Sequence, residues 1–261
     1  MADELVHYSV ERGVATITLD SPHNRNALSA QLRSELKAGL GSAIADEHVR
    51  VIVLGHTGPV FCSGMDLKEA RGAGAAGQGV NEFPQLLSQI MTSPKPVVAK
   101  LAGPARAGGL GIVAAADIAV AAPEATFAFS EVRIGVVPAV ISIPVLPRLL
   151  PRAAHEYFLT GETFDAERAA QIGLINSAVD AGALDATVER YVASLCAGGP
   201  KALAATKELL RGGSDAVGAE GLEKVFTEML ALSAEYFAGE EGQEGILAFA
   251  QKRKPAWVPE T

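Results

Sequence analysis

Twice in the first half of this chain an apolar run passes through a glycine-bearing turn into a helix-forming stretch. That repeat limits the folds open to it. In the first case Val49 to Gly55 is followed by Phe61-Cys62-Ser63-Gly64-Met65-Asp66-Leu67, with Lys68 and Glu69 continuing as helix. In the second, Pro96 to Ala102 leads into Gly103-Pro104-Ala105-Arg106-Ala107-Gly108-Gly109-Leu110-Gly111 and then Ile112 to Asp117. A chain that enters a helix leaves its first N–H groups without intrahelical partners, and the helix dipole adds partial positive charge there. Each turn is therefore suited to an anion or a developing oxyanion, although a glycine turn taken alone is also an ordinary structural feature. A third piece, Phe127-Ala128-Phe129-Ser130-Glu131-Val132-Arg133-Ile134-Gly135, sets one carboxylate among apolar neighbours, and such surroundings raise a carboxyl pKa.

The rest of the chain reads as alternating strands and helices. Leu5 to Val10 and Val14 to Leu19 form a strand pair around Arg12-Gly13. Ser29 is an N-cap, and Leu32, Leu36, Leu40 and Ile44 make the stripe of an amphipathic helix. Glu82 to Ile90 is a short helix, and Asp117 to Ala121 and Thr126 to Phe129 are short strands. Ile141 to Leu150 reads as a helix despite its prolines, followed by helices over Ala153 to Leu159 and Asp165 to Gln171 and a late strand, Ile175 to Val179. Beyond Leu184 everything is helical: Leu184 to Cys196, Ala202 to Leu210, Gly221 to Phe237 and Glu240 to Lys252. Gly198-Gly199-Pro200 marks the expected boundary between a core domain, 1–197, and a helical segment, 198–261. Arg71 to Gly79 is a glycine-rich stretch, either a lid or a plain surface loop.

Charge and cysteine usage narrow the classes. A formal charge of −8 argues against a nucleic-acid binder. Two cysteines without a CxxC spacing argue against a disulfide framework and fit a reducing cytoplasm. Met1-Ala2-Asp3-Glu4 lacks the basic start of a signal peptide, and the most apolar run, Ala107 to Ala122, is too short to span a membrane. No metal-ligand spacing, Walker motif or G-x-S-x-G is found. Cys62 sits inside the first turn, where a small core residue and a nucleophile are both conceivable.

On Phe61 to Leu67 (F-x-x-G-x-D-L), on Ala107-Gly108-Gly109, on Arg25-Asn26-Ala27-Leu28 and on the segment around Glu131, the sequence resembles the enoyl-CoA hydratase/isomerase (crotonase) superfamily. The resemblance runs from about Val6 to Trp257. It implies an α/β fold, a spiral of ββα turns with a C-terminal helical trimerisation segment, and an assembly that is a trimer or a dimer of trimers. It implies an acyl-CoA thioester substrate and no separate cofactor, since CoA is part of the substrate. Backbone N–H groups of Met65 and Gly108 would form an oxyanion hole, with Glu131 as the acid/base. Arg25 and Ala27 would meet CoA, and Ser63, Gly64, Asp66, Leu67, Gly111 and Ala139 would border the substrate. Hydratases of the best-known type carry a second glutamate where this chain has Gly111. That departure leaves a one-glutamate hydratase, a Δ3,Δ2-enoyl-CoA isomerase and a non-catalytic acyl-CoA binder open. The stretch from Ser130 to Ser142 also looks like a bacterial subgroup that includes methylglutaconyl-CoA hydratases, in which Arg106 or Arg133 would meet an extra substrate carboxylate.

Overall fold

A computed structural model of the protein describes residues 4–70, 82–212 and 219–258. The chain opens with β1 (Val6–Glu11) and β2 (Val14–Leu19), an antiparallel pair. In β2 the residues Ala15, Ile17 and Leu19 point into the core while Val14, Thr16 and Thr18 are half-buried, the alternation expected of a strand with one packed face. Helix α1 (Ala30–Ala45) follows, capped by Ser29, whose Oγ accepts the Leu32 N–H at 3.3 Å. Leu32, Leu36 and Leu40 are fully enclosed, so the four-residue stripe faces the core.

The middle of the chain repeats one plan. β3 (Val51–His56) leads through the first glycine turn to α2 (Leu67–Ala70) and α3 (Phe83–Thr92). β4 (Val97–Leu101) leads through β5 (Ala105–Arg106) to α4 (Gly108–Ala115). β6 (Ile118–Ala121) leads through β7 (Thr126–Ala128) to a 3-10 turn, Ser130–Ile134, and α5 (Ala139–Val145). After α6 (Pro151–Thr160), β8 (Phe164–Asp165), α7 (Ala166–Gln171) and β9 (Ser177–Ala178), the β4, β6 and β9 repeats have each given one strand to each of two sheets, while the first repeat reaches the smaller sheet only through the Cys62–Ala105 bridge. The larger sheet has the order β1-β2-β3-β4-β6-β9, parallel from β2 onward, and the smaller is β5-β7-β8. This is the spiral of ββα turns that the resemblance implies.

β3 reads as an unbroken apolar run because both of its faces are covered. Ile52 and Leu54 join the main core with α1, α3 and α4, while Val51 and Val53 pack with Val98 and Val120 against Leu184 and Val188 of α8 (Leu184–Ala197). The expected helix over Ile141 to Leu150 is shorter than its apolar run. It ends at Val145, because Pro144 and Pro147 remove two backbone donors in succession. The last helices are α9 (Pro200–Gly212), α10 (Ala219–Ala238) and α11 (Glu240–Gln251). α9 is tied down by Lys207, whose ammonium bonds Asp117 at 2.6 Å and the Lys95 carbonyl at 3.0 Å. Leu222 and Phe226 of α10 enter the main core. α11 lies directly on the 3-10 turn: a Cβ on Gly245 would stand 2.2 Å from the Ile134 carbonyl oxygen, so only glycine permits that approach.

The Arg25-Asn26-Ala27-Leu28 segment is the joint between α1 and the first glycine turn. The buried Asn26 side chain accepts the Ser21 N–H at 2.6 Å and donates to the carbonyls of Val60 (2.8 Å) and Thr57 (3.2 Å). Asn26→Ala removes all three partners from backbone groups in the interior. The expected loss is about 3 kcal/mol, seen as a melting temperature about 5–10 °C lower in calorimetry; a shift below about 2 °C shows the clamp to be dispensable.

Candidate active site

The two glycine turns meet. The Cys62 carbonyl accepts the Arg106 N–H at 2.9 Å, the Phe61 N–H bonds the Pro104 carbonyl at 3.0 Å, and Cys62 and Ala105 form a parallel bridge. A Cβ placed on Gly64, which has φ +90°, would lie 3.0 Å from the Ala107 methyl and 3.6 Å from the Gly108 nitrogen. Gly64 is therefore required twice, for its backbone angle and for its closeness to the second turn. Ala107, at the N-cap of α4, takes φ +47°, uncommon for a residue with a side chain. Backbone held in such a region over-determines direction, here that of the Gly108 N–H at the first position of the helix. Among the described residues, neither the Met65 N–H nor the Gly108 N–H has a protein acceptor.

Both residues line a cavity of about 190 Å³, together with Ser63, Leu67, Ala107, Glu131 and Ala139. Glu131 is presented by the 3-10 turn, whose end is fixed by the Val136 N–H bonding the Glu131 carbonyl at 3.0 Å. The residue as a whole is half-buried, but its Oε2 is enclosed with no hydrogen-bond partner. Burial, only partly opposed by a backbone N–H, pushes its pKa up to about 7. The other walls are mostly apolar, with Phe83 from α3, Ile141 from α5 and Phe237 and Phe249 from the C-terminal helices. A carboxyl that is half-protonated near neutrality thus shares a mostly apolar cavity with two residues whose backbone N–H groups have no protein acceptor among the described residues. That arrangement suits proton transfer next to a carbonyl whose oxygen takes up negative charge.

Of the sequence-derived site residues, Met65, Gly108, Glu131, Ser63, Leu67 and Ala139 come together in the cavity wall. Arg25, Ala27, Gly64, Asp66 and Gly111 are not in that wall. Arg25 is exposed in a left-handed turn (φ +60°), and its carbonyl accepts the Ser63 N–H at 3.1 Å. Ala27 is buried behind it, its N–H donating to Asn24 Oδ1 at 3.3 Å. Asp66 caps the short helix α2, accepting the Lys68 N–H at 2.9 Å. Gly111 faces Ile141: a Cβ there would stand 2.8 Å from Ile141 Cγ2, so an isoleucine occupies the direction a side chain at 111 would take.

Arg106 is not available to a substrate. Its guanidinium bonds the Ala105 carbonyl at 2.9 Å and the Thr126 hydroxyl at 2.7 Å, and it lies outside the cavity wall; Arg133 lies in that wall. Cys62 is a core residue whose burial pushes its thiol pKa up to about 12, which leaves no thiolate for nucleophilic work. The possible lid at residues 71–79 lies outside the described residues. Sequence reasoning did not find Phe83, Ser233, Phe237 or Phe249 in the site. They reach it from distant helices, and an aromatic on an amphipathic helix carries no local sign of which cavity it will face.

Comparison with known proteins gives the family. Residues 9–260 match the family described as enoyl-CoA hydratase/isomerase. The crystal structure of an enoyl-CoA hydratase from Mycobacterium avium is 44% identical and superposes with a TM-score of 0.87, over 98% of this chain and all of that one. A carnitinyl-CoA dehydratase from Citrobacter koseri is 34% identical over 97% of this chain and 98% of its own length. A mevalonyl-coenzyme A hydratase from Beauveria bassiana is 33% identical over 94% of this chain and 91% of its own length. With its two facing turns, its spiral of strands and a match across nearly its whole length, this chain belongs to the enoyl-CoA hydratase/isomerase family.

Proposed function

We propose that the protein is an enoyl-CoA hydratase that adds water to a 2-enoyl-CoA thioester with Glu131 as its single acid/base. The observation that carries this reading is the enclosed, unpartnered Glu131 carboxyl, with a pKa near 7, in the same cavity as the Met65 and Gly108 N–H groups. Glu131 in its carboxylate form takes a proton from water as the water oxygen bonds C3. The thioester oxygen becomes negative and accepts the two N–H donors. Glu131 then returns the proton to C2, the C2–C3 double bond having become single. Removing one fixed donor from such a hole costs about 3 kcal/mol of transition-state stabilisation. The exposed Arg25, whose carbonyl accepts the N–H of the cavity-lining Ser63, would meet CoA phosphates. The helical segment 198–261 would build a trimer or a dimer of trimers, and two free cysteines support a cytoplasmic setting.

One observation favours a second reading. With Gly111 in place of a second carboxylate and Ile141 in the space beside it, a Δ3,Δ2-enoyl-CoA isomerisation needs no more than Glu131. There Glu131 takes a C2 proton and returns it to C4. A preference for acyl groups with a further carboxylate, as in methylglutaconyl-CoA hydratases, now rests on Arg133 alone.

Product analysis separates the two reactions. Crotonyl-CoA should yield 3-hydroxybutyryl-CoA, and Glu131→Gln should lower kcat about 10³-fold. Conversion of a 3-enoyl-CoA without any hydration would make the protein an isomerase. Activity that survives in Glu131→Gln would remove Glu131 from the mechanism under either reading.

The proton also leaves a mark on stability. The folded carboxyl holds its proton to about pH 7, while the unfolded one releases it near 4.5. Between those values the folded state binds more protons, so wild-type stability falls as pH rises. Glutamine does not titrate. Glu131→Gln should therefore match wild type below pH 4.5 in this respect, then gain on it up to pH 7 by at most about 3 kcal/mol and hold that gain above. A stability difference independent of pH across that window contradicts an enclosed, late-titrating carboxyl.

A further inference from the structure

The Met65 N–H is the last link of a head-to-tail chain of peptide groups that begins on a buried cation. Arg33, on the inward face of α1, is only 3% exposed. Its guanidinium donates to the Leu28 carbonyl. The N–H of that same peptide, on Ser29, donates to the Ala27 carbonyl at 2.8 Å. The N–H of the next peptide, on Leu28, donates to the Gly64 carbonyl at 2.8 Å. The Gly64 carbonyl shares its peptide with the N–H of Met65, a residue of the cavity wall whose N–H has no protein acceptor among the described residues.

Each peptide accepts at its oxygen and donates at its nitrogen, all in one direction, which is the order in which hydrogen bonds polarise one another. The first donor carries a full charge, and charge-assisted bonds are the stronger kind. Leu28 also braces the second donor, since a Cβ on Gly108 would lie 2.9 Å from Leu28 Cδ1. Burial works against the guanidinium charge, but the nearby carboxylates of Glu69, Glu82 and Asp66 favour it, and arginine remains ionised.

From this geometry we infer that Arg33 is a positioning residue for the oxyanion hole, holding and polarising the Met65 N–H through the peptides that start at Leu28, Ala27 and Gly64. The inference rests on the reading in which Met65 N–H meets the thioester oxygen. A purely structural Arg33 would satisfy the Leu28 carbonyl and affect stability alone.

A conjugated dienoyl-CoA bound to the protein reports on the hole, because polarising its carbonyl moves its absorbance to longer wavelength. Wild type should show that shift. Arg33→Met should lose at least half of it and lower kcat about 10- to 100-fold, with KM within about threefold. Arg33→Lys, which keeps a cation, should recover most of both. Ser29→Pro breaks the chain at another link while leaving Arg33 in place. Ser29 already has φ −65°, which proline requires, and the variant loses the relay N–H. It should show the same reduced shift, and it decides the matter if Arg33→Met does not fold. A folded Arg33→Met or Ser29→Pro with the full wild-type shift and kcat overturns the inference. A wild type that binds the dienoyl thioester with no shift overturns the oxyanion reading itself, and the relay with it.

Discussion

The structure depends on one close approach of backbone to backbone. The turn after β3 and the turn after β4 lie side by side, with Gly64 against Ala107 and Gly108. That contact sets the spacing between the two unpartnered N–H groups, and it exists only because the residues at the contact are glycine and alanine. Elsewhere the turns of the spiral meet through large side chains, as where Phe127 and Phe129 pack on Phe164. α4 is wholly buried and built of Gly, Ala, Leu, Ile and Val, and its N-terminus is aimed at the cavity.

Glu131 sits in tension with the fold that presents it. An enclosed carboxyl with an unpartnered oxygen destabilises the folded state as soon as it ionises, and proteins keep such groups where a proton must be moved. The surroundings reinforce this. The 3-10 turn is clamped between α6 and α11 and closed at Gly135 in a left-handed conformation, so the carboxyl has little freedom to swing toward water. Strain at Ala107 and burial at Glu131 are separate destabilising features on two walls of one small cavity, and the extensive packing of α10 and α11 on α5, α3 and the 3-10 turn offsets them.

Much of this was legible in the sequence, for reasons that can be named. The stripe on α1, the alternation in β2 and the caps at Ser29 and Asp165 are local signals, and the structure has all of them. Met65, Gly108 and Glu131 were singled out because the short motifs that hold them resemble the family's, and the structure brings all three to one cavity. What was not legible depends on contacts across the fold. Asn26 looked like part of a CoA-binding signature, yet its side chain is spent wholly on backbone groups of three other residues. Arg106 looked free, but its partner Thr126 lies a full spiral turn away. Ile141 to Leu150 carries an apolar pattern that outlasts its helix, because prolines act on hydrogen bonding and not on hydrophobicity.

Gly111 is the most instructive residue of the site. Read alone, it is a missing carboxylate. In the fold it is paired with Ile141, whose methyl group stands 2.8 Å from where a Cβ would go. The glycine at 111 and the isoleucine at 141 are thus two sides of one contact, between α4 and α5. The consequence is electrostatic. A second carboxylate in so apolar a cavity would raise the pKa of Glu131 further and split the titration of the pair. With Ile141 beside Gly111, Glu131 is without a second carboxylate there, and under the proposed reaction the charge that develops on the substrate falls to main-chain dipoles. On that proposal the chemistry of the site rests less on the number of its acidic side chains than on how firmly its two peptide N–H groups are held.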